Sequence, residues 1–346
     1  MAQEIQGSES TKEIKIAFFG KLSKRFINID YDILSKYFDV RVIEPPRNRR
    51  EWISYPKKVK KLVRESDMVF GWFAGWHTAP AVHYAEKYSK PSVIVVGGYD
   101  AAYVPEIDFG AFTNIKEKIP AKYIYKNATK ILVVDLSLKA DIIKNAKVNG
   151  SNIDYLPTGY DSNYWKPGGK KEKIVLTVGI IREAVVKRKG FETFVKAARY
   201  LPDVKFVLVG KHADKSIDYL KKIASNNVEF PGFVSDDELL KYYQRAKVYC
   251  QLSRYEGLPN ALCEAMLCGC IPVGTRYCGI PTAIGDTGFY VPYGDEKATA
   301  EAIKKALAAP EEMRKKARER IKNLFPIEKR EKKLVEILCS LKQGVQ

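Results

Sequence analysis

The chain has 346 residues, 46% hydrophobic and 29% charged. That is a globular composition, and it excludes collagen-like, disulfide-dense, coiled-coil and largely disordered classes. The basic residues outnumber the acidic ones by 59 to 41, a net charge of +18. The excess is spread along the chain, with 26 basic and 19 acidic groups up to Lys166 and 33 and 22 after it. A field of that sign attracts nucleic acid, anionic membrane or phosphorylated small molecules without choosing among them.

From the N-terminus, residues 1–12 read as a polar, disordered tail with no apolar h-region. The predicted strands of the first half are 14–20, 40–45, 67–73, 91–98 and 130–135. Helix-like stretches fall near 27–37, 56–65, 78–89, 115–127 and 137–147. The strands are continuous apolar runs such as PSVIVVGG, as expected of strands covered on both faces. Their alternation with helices predicts a parallel sheet of βαβ units. Asp30-Tyr-Asp32 has a spacing used for metal binding elsewhere, but it lies in an amphipathic stretch and reads as a solvated helix face, so no metal is expected. The densest basic stretch, 41–64, holds nine Lys or Arg with Trp52 and Tyr55 between them. Interleaved basic and aromatic groups suit an anionic membrane surface or a nucleic-acid surface. No nucleic-acid module is legible, which favours an anionic membrane or a lipid-phosphate acceptor and predicts no nucleic-acid partner; a merely soluble basic surface fits the stretch equally well.

Residues 157–172, rich in Pro, Gly and Asn, read as a linker. The alternation then restarts, with strands at 173–179, 204–210, 228–230, 247–253 and 271–274. Helices are predicted near 190–200, 215–225, 236–245, 259–268 and 296–307, and basic helices near 311–323 and 327–342 close the chain as solvated surface. Ser235 and Glu238 form a capping box. The fold class is therefore α/β, with two doubly wound Rossmann-like domains. Ligands of such folds bind beyond the carboxyl ends of the strands. The expected division is a tail to residue 12, a first domain over 13–166, a second over 173–324 and a terminal helix over 325–346. No apolar run reaches the 18 residues of a membrane span, so a cytoplasmic protein is expected, with peripheral contact at the inner face of the cell membrane as an option. The six cysteines include no CxxC pair, and buried thiols in a reduced compartment are expected.

The segment Arg254–Met266, RYEGLPNALCEAM, places Glu256 after a predicted strand and Glu264 eight residues on. Pro259 suits a first helical turn, so the amides of 257–261 would open a helix N-terminus suited to an anion. Eight helical residues rise about 12 Å, more than the ~5–9.5 Å of a hydrolase carboxylate pair. The two Glu therefore read as separate hydroxyl anchors along an extended ligand. Taken in isolation, a pair at this spacing is more often an exposed loop Glu and a solvated helix Glu.

In its surroundings, however, the segment closely resembles glycosyltransferase family four, the retaining GT-B enzymes. The matching residues are Ser253, Glu256-Gly257, Glu264-Ala265-Met266, Cys268-Gly269, Pro272-Val273 and Thr287-Gly288. The resemblance runs through most of 173–307 and more faintly over the first half. It implies two domains facing across a cleft, the first binding acceptor and the second a nucleotide sugar, with the last helix crossing back to the first domain. It implies that Glu256 contacts the transferred sugar and Glu264 the ribose, with Gly257, Leu258, Asn260 and Ala261 around sugar and diphosphate. Lys189-Gly190 matches the family's Lys-Gly, and Arg182 is the candidate for its Arg, with Lys187 or Arg188 as substitutes. Gly210, Lys211 and Phe233 match strands and turns beside the nucleotide. Asp100 stands where many members carry a His, and its alternative is an Asx-turn residue. His77, Gly20 and Lys21 are acceptor-side candidates, and the single glycine of FFGKLSKRF departs from the family's Gly-rich turn.

What the resemblance implies is a metal-independent, retaining hexosyltransferase involved in glycan biosynthesis, with no cofactor beyond its nucleotide-sugar donor. That donor would be UDP- or GDP-linked and the acceptor a glycan or a lipid-linked molecule. The competing readings are another GT-B enzyme, an epimerase or phosphorylase, and a basic nucleic-acid-binding protein.

Overall fold

A computed structural model of the protein describes residues 13–344. The tail expected over 1–12 lies outside them. Among the described residues the chain forms two six-stranded sheets, all of whose pairings are parallel. It divides into two compact units. The first comprises the described residues to Pro105, Gly110–Gly159 and those from Glu328 on; the second comprises Glu106–Phe109 and Tyr160–Ile327. No helix among the described residues is long and apolar enough to cross a membrane.

The first unit's strands are β1 Lys15–Phe19, β2 Asp39–Ile43, β3 Met68–Trp72, β4 Ser92–Val96, β5 Lys130–Val133 and β6 Ile153–Tyr155, in the order β2-β1-β3-β4-β5-β6. β3 and β4 are buried along their whole length, which accounts for their unbroken apolar runs. The connecting helices are α1 Arg25–Tyr37, α2 Arg49–Glu65, α3 Ala79–Lys87, α4 Ile115–Asn127 and α5 Leu136–Ile142. α2 begins seven residues before the expected 56. Asn48 caps it, its side chain accepting from the Glu51 amide, and Pro56 lies inside the helix. β6 is not among the expected strands; three residues carry too little periodicity to be read.

The second unit repeats the pattern. Its strands are β7 Glu172–Val178, β8 Lys205–Val209, β9 Val228–Gly232, β10 Ala246–Gln251, β11 Ile271–Gly274 and β12 Phe289–Tyr290, ordered β12-β11-β10-β7-β8-β9. The helices are α6 Glu183–Lys189, α7 Phe191–Ala197, α8 Ser216–Ile223, α9 Asp236–Arg245, α10 Asn260–Leu267, α11 Gly279–Ile284, α12 Glu296–Ala308 and α13 Glu311–Leu324. α14, Ile327–Gln343, ends the described chain, and from Glu328 on it belongs to the first unit. The capping box opens α9 with both of its hydrogen bonds present.

Three sequence expectations need correction here. Asp30 is not on a solvated helix face: it is fully buried and pairs bidentately with Arg330 of α14, Nε to Oδ1 at 2.7 Å and Nη2 to Oδ2 at 2.6 Å. The Trp72 indole N–H also donates to it, whereas Asp32, two residues on, is exposed. The closing helices are not mere solvated surface. Arg314, Arg318 and Arg320 of α13 donate to backbone carbonyls of Gly269, of Ser162, Trp165 and Leu267, and of Thr282 and Ala283. These include the C-terminal carbonyls of α10 and α11, which a helix leaves without internal partners. Tyr55 does not join the basic surface of α2, because it is buried and its hydroxyl donates to the His77 carbonyl.

Candidate donor site in the second unit

The site is built at the carboxyl ends of β7 and β10. After β10 the chain runs Leu252-Ser253-Arg254-Tyr255-Glu256 into a loop that ends at α10. After β7 it forms the short helix α6, whose last residues are Lys187, Arg188 and Lys189. Gly190 then breaks the helix in a left-handed conformation, φ +64°, and α7 starts directly after it. A Cβ at Gly190 would collide with the Leu252 carbonyl, so glycine is what lets the end of α6 lie against the loop after β10. The Arg254 amide donates to the Arg188 carbonyl at 2.7 Å and joins the two segments.

The outcome is a carboxylate held by cations. Arg188 Nη1 lies 2.9 Å and Lys189 Nζ 3.0 Å from Glu256 Oε1. Ser253 Oγ at 2.9 Å and Gln251 Nε2 at 3.1 Å donate to the same oxygen. All three charged side chains are largely buried, at 15% exposure or less. Burial pushes the Glu256 carboxyl up, but Arg188 and Lys189 outweigh it and hold the group at about 2. Burial depresses the Lys189 ammonium, opposed by Glu256 and reinforced by Arg188. Two cations face one carboxylate, so the cluster keeps one positive charge in excess.

Beyond Glu256, Gly257 and Leu258 are buried. A Cβ on Gly279, the first residue of α11, would collide with the Gly257 carbonyl. α10 begins at Asn260 behind Pro259, so the amides of Asn260 and Ala261 are first-turn donors without helical partners. The Asn260 side chain accepts from the Tyr160 hydroxyl at 2.8 Å. Glu264 lies on the buried side of α10 and accepts from the Tyr243 hydroxyl at 3.2 Å. Only Asn260–Glu264 of the stretch between the two Glu is helical, so the 12 Å rise expected for eight helical residues does not apply.

Arg182 is placed differently from Arg188. It is the exposed N-cap of α6, seven residues from Lys189 at the other end of that helix, and Arg188 is the arginine brought to Glu256. The sequence pattern leaves α6 unmarked, because its seven residues span barely two turns. The signal that identifies it is Gly190, a helix-terminating glycine directly after a basic last turn. Gly210 sits at φ +156° with its amide on the Gly232 carbonyl, and a Cβ there would strike the Gly179 carbonyl. Lys211 and Phe233 are exposed. His212, which carries no motif in the sequence, has its Nε2 buried without a hydrogen-bond partner.

The acceptor-side candidates and Asp100 belong to the first unit, at the carboxyl ends of β1, β3 and β4. Gly20 is buried against Ile27, and Lys21 is exposed. His77 Nε2 lies 2.9 Å from the Trp72 carbonyl. A carbonyl only accepts, so Nε2 carries the proton; burial lowers the ring's pKa, against the raising effect of this bond. Asp100 is buried and accepts from the amides of Ala74 at 2.9 Å and Gly98 at 3.0 Å. Its carboxylate thus ties the loop after β3 to the turn after β4. Burial raises its pKa to about 6, with the backbone amides pulling the other way.

Comparison with known proteins bears on the family and the fold. Residues 165–324 match the family model of glycosyl transferases group 1. Among curated relatives, the alpha-galactosylglucosyldiacylglycerol synthase of Streptococcus pneumoniae is 25% identical over 58% of this chain and 57% of its own. A component of the phosphatidylinositol N-acetylglucosaminyltransferase of Arabidopsis thaliana is 24% identical over 53% of this chain and 43% of its own. The chain thus spans about half the length of these relatives. Among solved structures, Anabaena HepE in complex with UDP superposes with a TM-score of 0.77 at 17% identity, over 94% of this chain and all of that one. Sucrose-phosphate synthase from Thermosynechococcus elongatus gives 0.79 at 18%, over 96% and 100%. The fold is that of GT-B glycosyltransferases.

Proposed function

Residues 165–324 belong to the glycosyl transferases group 1 family, and from that premise we propose that the chain is a retaining glycosyltransferase using a UDP- or GDP-linked sugar. The observation that carries this reading is the Glu256 cluster. Arg188 and Lys189 supply an excess positive charge beside the amides that open α10, which suits a diphosphate. In the reaction these cations take up charge that develops on the departing nucleotide diphosphate. They do the work a divalent metal would otherwise do, so transfer proceeds in the presence of a chelator. Glu256 accepts hydroxyls of the transferred sugar, and Glu264 accepts from the ribose. The acceptor hydroxyl attacks the same face that the diphosphate leaves and passes its proton to a phosphate oxygen, so no protein base is assigned. Arg182, Asp100, Lys211 and Phe233 are left without a catalytic or donor role, and His77, Gly20 and Lys21 are assigned to the acceptor side of the first unit.

A lipid-linked acceptor draws support from the lipid names of two relatives and from α2. That helix exposes Arg49, Arg50, Lys57, Lys58, Lys60, Lys61 and Arg64 together with Trp52 and Ile53, the latter 81% exposed. Basic groups with an aromatic and an aliphatic anchor suit an anionic bilayer surface. Flotation with vesicles containing phosphatidylglycerol, compared with pure phosphatidylcholine, tests this; equal absence from both contradicts it.

The donor reading is tested by thermal shift with UDP- and GDP-sugars, followed by detection of released nucleotide. A bound donor raises the melting point by mass action. Glu256→Gln and Lys189→Met should each lower turnover about 100-fold or more. The reading fails if no nucleotide sugar shifts the melting point, or if both variants turn over like the wild type. An epimerase would instead convert the donor sugar with no acceptor product.

A further inference from the structure

Between β4 and α4 the chain makes a loop whose tip, Glu106–Phe109, clusters with the second unit. Its ends are tied by backbone hydrogen bonds, Ala111 N to Tyr99 O at 2.8 Å and Phe112 N to Ala102 O at 3.1 Å. Asp108 has φ +48° and Gly110 φ +112°, and a Cβ at Gly110 would strike the Ala102 carbonyl. The tip is therefore set by a constrained backbone.

Two tip side chains reach arginines at the Glu256 site. The Phe109 ring lies under the Arg188 guanidinium, 5.0 Å from ring centroid to Cζ, and packs 5.6 Å from the Tyr255 ring. Glu106 pairs with Arg254, whose guanidinium also covers the Tyr277 ring at 4.1 Å. Arg188 is thus fixed in three ways. Its Nη1 donates to the Tyr255 carbonyl at 3.1 Å and to Glu256, while its Cζ lies over the Phe109 ring.

We propose that Phe109 is a positioning residue for donor binding, acting through Arg188. This rests on the reading that the cluster receives a nucleotide diphosphate. A free arginine loses much rotamer entropy when it closes on a phosphate, and a guanidinium already held in place loses less. Cation–π contact with the ring also orients the plane, so the N–H groups not used by Tyr255 and Glu256 face a fixed direction. Glu106 holds Arg254 in the same way, and Arg254 in turn carries the amide that grips the Arg188 carbonyl.

A double-mutant cycle tests the proposal. UDP and GDP affinities are measured by calorimetry for the wild type, Phe109→Leu, Phe109→Tyr, Arg188→Ala and the Phe109→Leu/Arg188→Ala pair, with melting points confirming that each variant is folded. Phe109→Leu should weaken nucleotide binding about five-fold in the wild-type background, the worth of one partly desolvated cation–π contact. It should have no effect once Arg188 is gone, and Phe109→Tyr should stay within about two-fold of wild type because it keeps the ring face. An equal loss in both backgrounds, or no loss in either, overturns the proposal. A wild type that binds neither UDP nor GDP sinks the glycosyltransferase reading instead. The same cycle read by urea unfolding then decides whether Phe109 and Arg188 are coupled at all, and zero coupling overturns the positioning role.

Discussion

Glu256 and Asp100 are both carboxylates after buried parallel strands, and their surroundings drive them apart. Glu256 faces two cations and is held at about 2; Asp100 is buried with backbone amides as its hydrogen-bond donors and is raised to about 6. The signs for stability follow. The folded value of Glu256 lies below its unfolded 4.5, so its stabilisation is fully present above pH 4.5 and disappears as the pH falls through about 2. Glu256→Gln should remove about 3 kcal/mol at neutral pH and flatten that part of the acid limb in urea titrations. An unchanged acid limb contradicts the pairing. Asp100 behaves oppositely: its folded value exceeds the unfolded 3.8, so it favours the folded state below that value and loses this as the pH rises through about 6. A carboxyl-carbon NMR titration should place its midpoint near 6, and a midpoint below 4 would show that the two amide contacts outweigh burial. Glu256 and Lys189 are legible in the sequence because each sits in a short local motif. The identity of the arginine is not, because it depends on which residue of α6 comes round to the last turn.

At the scale of elements, the break between α6 and α7 decides how the site is presented. Gly190 carries a left-handed φ and touches the Leu252 carbonyl, so Gly190→Ala incurs both a conformational cost and a steric one. A loss of about 2 kcal/mol or more is expected, with weakened nucleotide binding because Lys189 precedes the break. A variant as stable as the wild type in urea would mean that the backbone relaxes without cost. The long helices are legible from periodicity, and α4 lies where it is expected over 115–127. The unread elements are short ones, β6, β12, α6 and α11, of two to seven residues. The two strands are held by neighbours in the sheet and the two helices by packing, not by their own pattern. The sequence makes α2 too short because Pro56 signals a helix start. Asn48 nevertheless caps the helix upstream, and the packing of Tyr55, Val59 and Val63 overrides a proline in the interior.

At the scale of the whole molecule, the first unit is finished by residues that follow the entire second unit in sequence. The decisive contact is Arg330 with Asp30, 300 positions apart. Arg330 also donates to the carbonyls of Leu156 at 3.1 Å and Pro157 at 2.7 Å, and its guanidinium lies 5.7 Å from the Trp72 ring. Nothing local around Asp30 betrays this, so its amphipathic surroundings point to solvent; only closure of a very long chain loop reveals the partner. Such a pair contributes little by itself against hydrophobic residues of similar size, but removing one partner leaves a buried charge uncompensated. Arg330→Met and Asp30→Leu should therefore each cost about 3–5 kcal/mol in urea unfolding, while the double variant should cost less than either single change. Arg330→Met also strips the Leu156 and Pro157 carbonyls of a donor, whereas Asp30→Leu orphans the single Trp72 indole N–H. That asymmetry predicts that Arg330→Met is the worse of the two singles. If the costs of the two singles instead add in the double variant, the pair is not coupled, and α14 is held to the first unit by its other contacts, the apolar ones of Leu334, Val335 and Leu338 and the pairs of Glu331 with Lys36 and of Lys342 with Asp67.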